Sequence, residues 1–278
     1  MDRQPRRTSA ERVSVVLGSY DRRRFIQAAL GSIRDNGIRV PYEIIVVDGG
    51  STDGTVEFLA RQKDVLTIIQ HNHGIWRGKP VERRSWGLFM NLAFRAARGE
   101  FICMISDDSL LVPGSIMAGI ECYDAALREG RRVGAVAFYW RNWPEQKKYW
   151  VGLTFGNRMF VNHGLYLKEA LEAVGYADED SYSFYHGDGD LCLRMWEKGY
   201  ACVDSPDSFV EHYAHANRQV RSTNLAVQKE DWRVYSARWG SLGPPETDWI
   251  ELEYRDPTRT VDKYWKAGPL RRWLDSLH

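Results

Sequence analysis

Short apolar runs alternate with amphipathic stretches along this chain, and that alternation constrains its fold more than any other feature. The runs are rich in Val and Ile and have the length of buried strands, whereas the stretches between them carry apolar residues at helical spacing. Such alternation is typical of a mostly parallel, doubly wound sheet with helices on its faces. We therefore predict an α/β fold with strands at residues 13–17, 42–47, 66–69, 101–105 and 133–139.

Polar residues that can accept a hydrogen bond from the first helical amides mark the predicted helix starts. Asp21, then Thr52 or Asp53, and later Asp190 are the predicted N-caps. A further helix is expected to start at residue 81. The predicted helices end near residues 36, 62, 98, 129 and 199, where Gly or other turn residues follow.

Acidic and glycine residues follow two of the predicted strands. Asp48, Gly49 and Gly50 come after the second strand, and Asp107 and Asp108 come after the fourth. In a doubly wound sheet, ligands bind beyond the carboxyl ends of the strands, near a switch in strand order. Because both strand ends lie on the same predicted edge, we expect a ligand site there rather than acids that only solvate loops.

Asp107 and Asp108 place two adjacent carboxylates where their charges repel. A divalent cation resolves that repulsion, and hard oxygen ligands favour Mg²⁺ or Mn²⁺. Such a metal can neutralise a departing diphosphate. The alternative is an N-cap for the helix that starts near Pro113. His212, and less strongly His215, could complete the metal shell, or be ordinary histidines.

Two further segments carry candidate chemistry. The loop 48–55 lacks the Lys of a Walker loop and the Gly-x-Gly-x-x-Gly spacing, but its glycines let the backbone approach a nucleotide. Asp188 precedes a predicted helix and is not needed as its cap. Its carboxylate is therefore free to accept a proton from a hydroxyl nucleophile, the alternative being a second cap residue.

Taken in order, five segments resemble the family 2 glycosyltransferases of the GT-A fold. The resemblance covers roughly residues 13–215, and residues 174–178 also resemble the family's sequence before its acid motif. It implies a GT-A type doubly wound, mostly parallel sheet flanked by helices. The matching segments are 13–22, 45–55, 91–102, the pair Asp107 and Asp108, and 187–194 with Gly199 and Tyr200.

The resemblance implies a glycosyltransferase of hexosyltransferase type that moves a sugar from a nucleotide-diphosphate sugar to an acceptor hydroxyl. The reaction is expected to invert the anomeric centre and to need Mn²⁺ or Mg²⁺, with Asp188 as the base and Asp108 and His212 as metal ligands. The acceptor is expected to be a glycan, a lipid-linked glycan or a small molecule, as in polysaccharide biosynthesis. The residues that match donor-binding positions are Ser19, Tyr20, Asp48, Gly49, Asp53, Arg84 and Asp107.

The chain departs from the family's pattern at two positions. Gly49 stands where the family often has a second Asp that contacts uracil, so UDP, GDP and dTDP sugars all stay open as donors. Gly187 stands where the family often has Glu before the base. The loss of that acid could change the acceptor or the pKa of Asp188.

Three other functions are weighed against inverting transfer. A retaining GT-A enzyme would use the same donor site without a base. A nucleotidyltransferase would need a loop rich in glycine and basic residues directly after the first strand, which residues 18–24 match poorly. A degenerate sugar-binding module is indicated only by Gly49 and Gly187.

We predict three segments in the chain. Residues 1–12 form a flexible basic tail, residues 13–225 form the catalytic domain, and residues 226–278 form a helical or irregular extension. Within the catalytic domain, residues 13–110 would bind the nucleotide sugar and residues 111–225 the acceptor. A helix at 270–277 is expected to pack on the domain, with peripheral membrane contact as the alternative.

Composition limits the partners and the compartment. Lys and Arg number 38 against 37 Asp and Glu, so the net charge of +1 argues against nucleic acid as a partner. The absence of a signal peptide, of paired Cys-x-x-Cys and of a membrane-length apolar run predicts a cytoplasmic protein, with the inner membrane face as the alternative. The 11 tryptophans either fill a core or form flat platforms for sugars. Those at Trp140, Trp143 and Trp150 are equally consistent with an acceptor groove and with an insertion packed on the core.

Overall fold

The structure is a computed structural model that describes residues 12–143, 145–213, 225–253 and 259–264. Three predicted features lie outside the described residues. They are residues 1–11 of the basic tail, His215, and the predicted helix at 270–277. The strands are β1 Val13–Ser19, β2 Tyr42–Asp48, β3 Val65–Ile69, β4 Ile75–Trp76, β5 Lys79–Pro80, β6 Phe101–Met104, β7 Ser109–Leu111, β8 Val133–Asn142, β9 Tyr149–Thr154, β10 Arg158–Met159, β11 Gly164–Leu167, β12 Ala201–His212 and β13 Trp249–Leu252. The helices are α1 Arg23–Arg34, α2 Thr55–Leu59, α3 Trp86–Ala96, α4 Ser115–Arg128, α5 Lys168–Ala173, α6 Gly187–Glu197 and α7 Gln228–Trp239.

The central sheet begins as a parallel block and then reverses direction. Strands β3, β2, β1 and β6 run parallel in that order, whereas β11 pairs antiparallel with both β6 and β8. On the far side, β12 runs parallel to β8, and β9 pairs antiparallel with β8. The predicted α/β class with a helix-flanked, doubly wound sheet is confirmed.

Helices cover both faces of the sheet, and the strand pattern explains why. Successive residues of β1 point to opposite faces, so Val15 and Leu17 join one apolar cluster while Val16 joins the other. Helices α1 and α4 cover the first face, and α3, α5 and α6 cover the second. Both faces therefore exclude water from the strands, and the carboxyl ends of β1 and β6 remain as an accessible edge.

The prediction that Asp21 caps α1 is wrong. The N-cap position is held by Arg22, and Asp21 has a positive φ of 49°. Its carboxylate instead accepts the Thr52 amide at 2.6 Å, while Asp53 accepts the Arg23 amide at 2.8 Å. Asp53 also accepts the Thr55 amide at 3.0 Å. The loops after β1 and β2 are thus hydrogen-bonded to each other, and local sequence signals do not reveal this contact.

Two predicted helices are longer than the helices that form. Helix α3 begins at Trp86 rather than at residue 81, because the Ser85 hydroxyl accepts the Leu88 amide and caps it there. The residues just before it form the small hairpin of β4 and β5. Helix α2 ends at Leu59, short of the predicted end near residue 62.

Asp190 is not an N-cap but lies in the first turn of α6, where it is fully buried. Its carboxylate accepts hydrogen bonds from Arg194 at 2.7 Å, Tyr182 at 3.1 Å and Trp239 at 2.9 Å. Arg238 lies 3.0 Å away in an ion pair. Because Trp239 and Arg238 belong to α7, this carboxylate joins α7 to α6.

Replacing Asp190 with Ala should lower the free energy of unfolding by about 3–5 kcal/mol, because it removes the charged partner of the largely buried Arg194 guanidinium, which keeps only the carbonyls of Val174 and Tyr176. Urea unfolding followed by circular dichroism measures this change. Asp64→Ala is the control, since its pair with Arg34 is on the surface and should contribute at most about 1 kcal/mol. Equal unfolding midpoints for the two variants would contradict the role given to Asp190.

Candidate active site

A cavity of about 460 Å³ opens at the carboxyl ends of β1 and β6. Strand pairing brings its parts together, because Gly164 at the start of β11 pairs with Met104 at the end of β6. His212 at the end of β12 pairs with Ser109 of β7, directly after the acid pair. Seven of the predicted site residues line this cavity: Ser19, Tyr20, Arg84, Asp107, Asp108, Asp188 and His212.

Asp107 and Asp108 are held by a buried arginine that the sequence interpretation missed. Arg22 Nη1 donates to Asp107 Oδ1 and to Asp108 Oδ2, each at 2.8 Å, and the Ser19 hydroxyl donates to Asp107 Oδ2 at 2.9 Å. The Arg22 guanidinium thus offsets the repulsion between the two carboxylates, and a divalent cation at Asp108 stays a prediction. The N-cap alternative is also wrong, since Gly114 occupies the N-cap position of α4.

The two carboxylates differ in their pKa. Burial raises the pKa of Asp107 to about 6. Burial also acts to raise the pKa of Asp108, but the charges of Arg22 and His212 and the hydrogen bond from Ser106 together outweigh it and hold that pKa below its usual range. Asp108 therefore keeps its negative charge at neutral pH and is the better ligand for a cation.

Two histidines lie beside Asp108. His212 Nε2 is 3.6 Å from Asp108 Oδ1, and His212 Nδ1 is 2.7 Å from Asn142 Oδ1. The His163 ring centroid is 6.3 Å from that of His212, and burial lowers the pKa of His163 to about 3, so its ring is neutral. His163 Nδ1 is buried and has no hydrogen-bond partner within the described residues.

The residues around Asp108 fit a divalent cation that is shared with a substrate. A carboxylate and an imidazole are ligands that Mn²⁺ accepts. The part of the chain that the structure describes holds no group of three or more His, Cys, Asp or Glu side chains placed to bind a metal. Asp108 and His212 can therefore supply two ligands, and phosphate oxygens and water would have to supply the others.

Asp188 lies in the first turn of α6 and lines the same cavity as the acid pair. Its Oδ2 accepts from Asn162 Nδ2 at 2.9 Å, and its Oδ1 accepts from the Gly189 amide at 2.9 Å. The preceding Gly187 leaves room for Trp86, since a Cβ at that position would lie 2.8 Å from the Trp86 ring. This contact explains why the chain lacks the acid that often precedes the base.

The segment before α6 is fixed by α7. Asp231 of α7 is buried, and its carboxylate accepts the amides of Ser183, Phe184 and Tyr185, each at 2.8 Å. The next residue, His186, has a φ of 66°, and its ring stacks on Tyr235 of α7. Helix α7 thereby sets the position from which α6 and Asp188 start.

Three predicted donor-binding residues do not line the cavity. Asp48 is buried and accepts from the Gly50 amide, the Ser51 amide and the Ser51 hydroxyl, at 2.9, 2.7 and 2.7 Å. Gly49 lies under the ring of Tyr20, and Asp53 braces the loop after β1 as described above. These residues shape the loop, and their contact with a donor stays a prediction.

Tyr20 and Arg84 also line the cavity, together with His73 and Asn72. The Tyr20 ring stacks on His73, with centroids 4.0 Å apart and planes inclined by 25°. Arg84 donates its amide to Asn72 and pairs with Glu82 at 3.2 Å. Sequence signals do not indicate His73, because its aromatic partner Tyr20 is distant in the chain.

The fold and the site together define a glycosyltransferase of the GT-A type. The family model described as glycosyl transferase family 2 matches residues 14–174, which is more than half of the chain. The chain therefore belongs to glycosyl transferase family 2. The family, the fold and the enzyme class that the sequence predicts are all confirmed.

Two curated relatives resemble parts of the chain. Protein y4gI of Sinorhizobium fredii, named as uncharacterised, is 23% identical over 291 residues, which covers 82% of this chain and 30% of the relative. YfnE of Bacillus subtilis, an uncharacterised glycosyltransferase, is 27% identical over 117 residues, which covers 41% of this chain and 27% of YfnE. The matched regions thus span less than a third of either relative.

Solved structures share the fold at low sequence identity. The Pyrobaculum calidifontis mannosyltransferase PcManGT, in complex with GDP-Man and Mn²⁺, has a TM-score of 0.60 at 21% identity, covering 83% of this chain and 65% of that one. TarS of S. aureus has a TM-score of 0.54 at 16% identity, covering 73% and 37%. Residues 1–349 of TarS, in complex with UDP-GlcNAc, have a TM-score of 0.51 at 16% identity, covering 71% of this chain and 58% of that one.

Within the described ranges, this chain has no helix long and apolar enough to cross a bilayer.

Replacing Asp231 with Ala should release the segment that positions α6. Hydrogen bonds to a charged acceptor contribute about 1.5–3 kcal/mol each, so the amides of Phe184 and Tyr185 should exchange with deuterium about tenfold faster or more. Hydrogen–deuterium exchange with mass spectrometry measures this directly. Glu230→Ala, on the exposed side of the same helix, should leave that exchange unchanged. Unaltered protection in Asp231→Ala would show that other contacts hold the segment.

Proposed function

We propose that this protein transfers a sugar from a nucleotide-diphosphate sugar to an acceptor hydroxyl, with inversion at the anomeric carbon. One observation carries the proposal: the acid pair and the separate carboxylate of Asp188 face a single cavity at the carboxyl edge of the sheet. A displacement reaction needs these two centres on opposite sides of the reacting carbon, one for the leaving group and one for the nucleophile.

The donor would lie between the aromatic wall of Tyr20 and His73 and the acid pair. A stacked aromatic face of this kind suits a nucleobase. Asp107 would accept a hydrogen bond from ribose or the donor sugar, and Arg84 would meet phosphate. When bound, a divalent cation held by Asp108 and His212 supplies positive charge for the departing diphosphate.

Asp188 would act as the general base. Asn162 holds one carboxylate oxygen and the Gly189 amide holds the other, so the group is fixed in orientation. Each oxygen of an ionised carboxylate has more than one acceptor site, so both can still receive a proton. A hydroxyl held there would lose its proton as it attacks, which is how a positioned base lowers the barrier.

The geometry also accounts for the glycine that replaces an acid after β2. A Cβ at Gly49 would lie 3.0 Å from the Tyr20 ring, so a side chain there would require that ring to shift relative to His73. The usual acid contact to uracil is therefore exchanged for an aromatic wall. UDP, GDP and dTDP sugars all remain candidate donors on this basis.

Donor binding and acceptor binding are assigned to successive parts of the chain. Residues 13–110 supply the donor side of the cavity, and residues 111–225 supply Asn162, Asp188 and His212. We assign the acceptor, a glycan or lipid-linked glycan, to this second part. The remaining residues, 226–278, would support the base through α7, and the reaction would take place in the cytoplasm or at the inner face of its membrane.

A nucleotide sugar should stabilise the protein, and the effect should increase with Mn²⁺. Binding at 100 times its dissociation constant adds about 2.7 kcal/mol to the free energy of unfolding. Thermal-shift measurements with UDP-, GDP- and dTDP-sugars, with and without Mn²⁺, test this. Asp108→Asn should lose the increment that depends on metal, while Asp64→Asn, on the distant surface, should keep it. No shift with any nucleotide sugar would contradict the proposal.

Asp188→Asn should bind the donor normally but lose turnover. Removing a positioned base typically lowers kcat by about 10²–10⁴-fold. Nucleotide release, with water as the acceptor where no better one is known, measures the rate. Asp180→Asn is the control because that side chain is exposed on the preceding loop. A product that retains the donor's anomeric configuration by NMR would rule out Asp188 as the base of a single displacement.

A further inference from the structure

A strip of three tryptophans crosses three neighbouring strands on one face of the sheet. Trp140 of β8 pairs directly with Trp150 of β9. Trp150 pairs in turn with Glu251 of β13, so Trp249, two residues earlier, lies diagonally beside it on the same face. The ring centroids are 3.7 Å apart from Trp140 to Trp150 and 6.2 Å apart from Trp150 to Trp249. We call these three residues the tryptophan strip.

The tryptophan strip runs from the cavity to the outer surface. Trp140 lines the cavity, Trp150 is half-buried, and Trp249 is 47% exposed. Other tryptophans serve the core instead: Trp239 is buried at the end of α7, and Trp143 packs against Tyr213. The strip is thus a row of adjacent indole rings that packs on the core at Trp140 and reaches the surface at Trp249.

Its inner end lies beside two histidines of the cavity. The Trp140 ring meets His163 edge-on at 5.9 Å and His212 edge-on at 5.5 Å. The residue before His163 is Asn162, which holds Asp188. Tyr20 and His73, proposed to hold the nucleobase, are separate from the strip. A ligand on the strip would therefore reach the cavity along residues 111–225, the part of the chain assigned to the acceptor.

Resting on the proposed function, we propose that the tryptophan strip binds the glycan chain of the acceptor and leads its terminal hydroxyl to Asp188. Sugar rings have apolar C–H faces and polar edges, which complement flat indole faces bordered by polar groups. The border here is polar: Lys148 and Glu251 form an exposed ion pair at 2.8 Å, and Gln146 accepts from Trp150 Nε1 at 3.4 Å. An exposed apolar patch with such a rim marks an interaction site.

The rim favours a glycan over an anionic bilayer. Membrane-binding surfaces combine apolar residues with clusters of Lys and Arg. Beside the tryptophan strip, the positive charge of Lys148 is matched by the negative charge of Glu251. A neutral oligosaccharide needs no net charge on its binding surface, whereas an anionic lipid surface does.

The test uses affinity gel electrophoresis of the full chain through gels that contain soluble mannan, dextran, β-glucan, galactan or glycol chitin. At least one of these glycans should retard the wild-type protein. Trp249→Ala should bind that glycan about tenfold more weakly, since aromatic anchors in interfaces typically cost this much or more when truncated. Trp249 is the first choice because its exposed ring can be removed without opening the core.

The control variant is Trp76→Ala. Trp76 is 69% exposed on the hairpin of β4 and β5, outside the tryptophan strip, so its loss removes a similar aromatic surface elsewhere. It should be retarded like the wild type. Equal retardation of all three proteins, or no retardation by any of the glycans, would overturn the proposal. Binding of the wild type to phosphatidylglycerol vesicles that is lost in Trp249→Ala would overturn it in favour of a membrane contact.

A parallel thermal-shift measurement separates this proposal from the proposed function. Trp249→Ala should keep the wild-type shift with a nucleotide sugar, because the strip does not touch the donor wall. Loss of glycan binding with an intact donor shift supports the acceptor assignment. Absence of a donor shift in the wild type would overturn the proposed function and, with it, the acceptor role, even if the strip still bound glycan.

Discussion

The architecture of the site depends on the burial of two adjacent carboxylates at the end of β6. Removing such charges from water costs several kcal/mol per ion unless each is paired and hydrogen-bonded. Arg22 meets that requirement for both Asp107 and Asp108, and Ser19 adds a hydrogen bond to Asp107. The loop after β1 must therefore fold back over the end of β6. The crossed contacts of Asp21 and Asp53 hold that loop in place.

A second constraint acts from the far end of the described chain. Helix α7 contributes Asp231, which holds the segment before α6, and Trp239, which bonds to Asp190 within α6. The proposed base, Asp188, sits between these two attachments. A segment that looks like an appendage in the sequence therefore supports the catalytic half, and a change in α7 should affect chemistry without touching the cavity.

Sequence patterns that span a few residues predict the parts of the structure that depend on neighbouring residues. The strands of the parallel block, the glycine loop after β2 and the acids after β6 were all predictable, because apolar runs and strand-end residues are read within a few positions. Arg22 was not, since its partners lie 85 and 86 residues away and a run of three arginines is typical of a solvated surface. Asn162 and Asp231 were missed for the same reason. The N-cap predictions at Asp21 and Asp190 were wrong because these carboxylates bind partners that are not the first amides of the helix: the Thr52 amide for Asp21, and side chains of α6, α7 and the preceding loop for Asp190.

We propose that the cavity both binds the donor and is the place of reaction, with the sugar held between the acid pair and Asp188. The most direct test is a crystal structure of the protein with Mn²⁺ and the nucleotide sugar that gives the largest thermal shift. The account predicts an anomalous manganese signal beside Asp108 and His212 and an anomeric carbon whose open face is turned towards Asp188. A nucleotide bound outside the cavity, or an anomeric carbon turned away from Asp188, would contradict it.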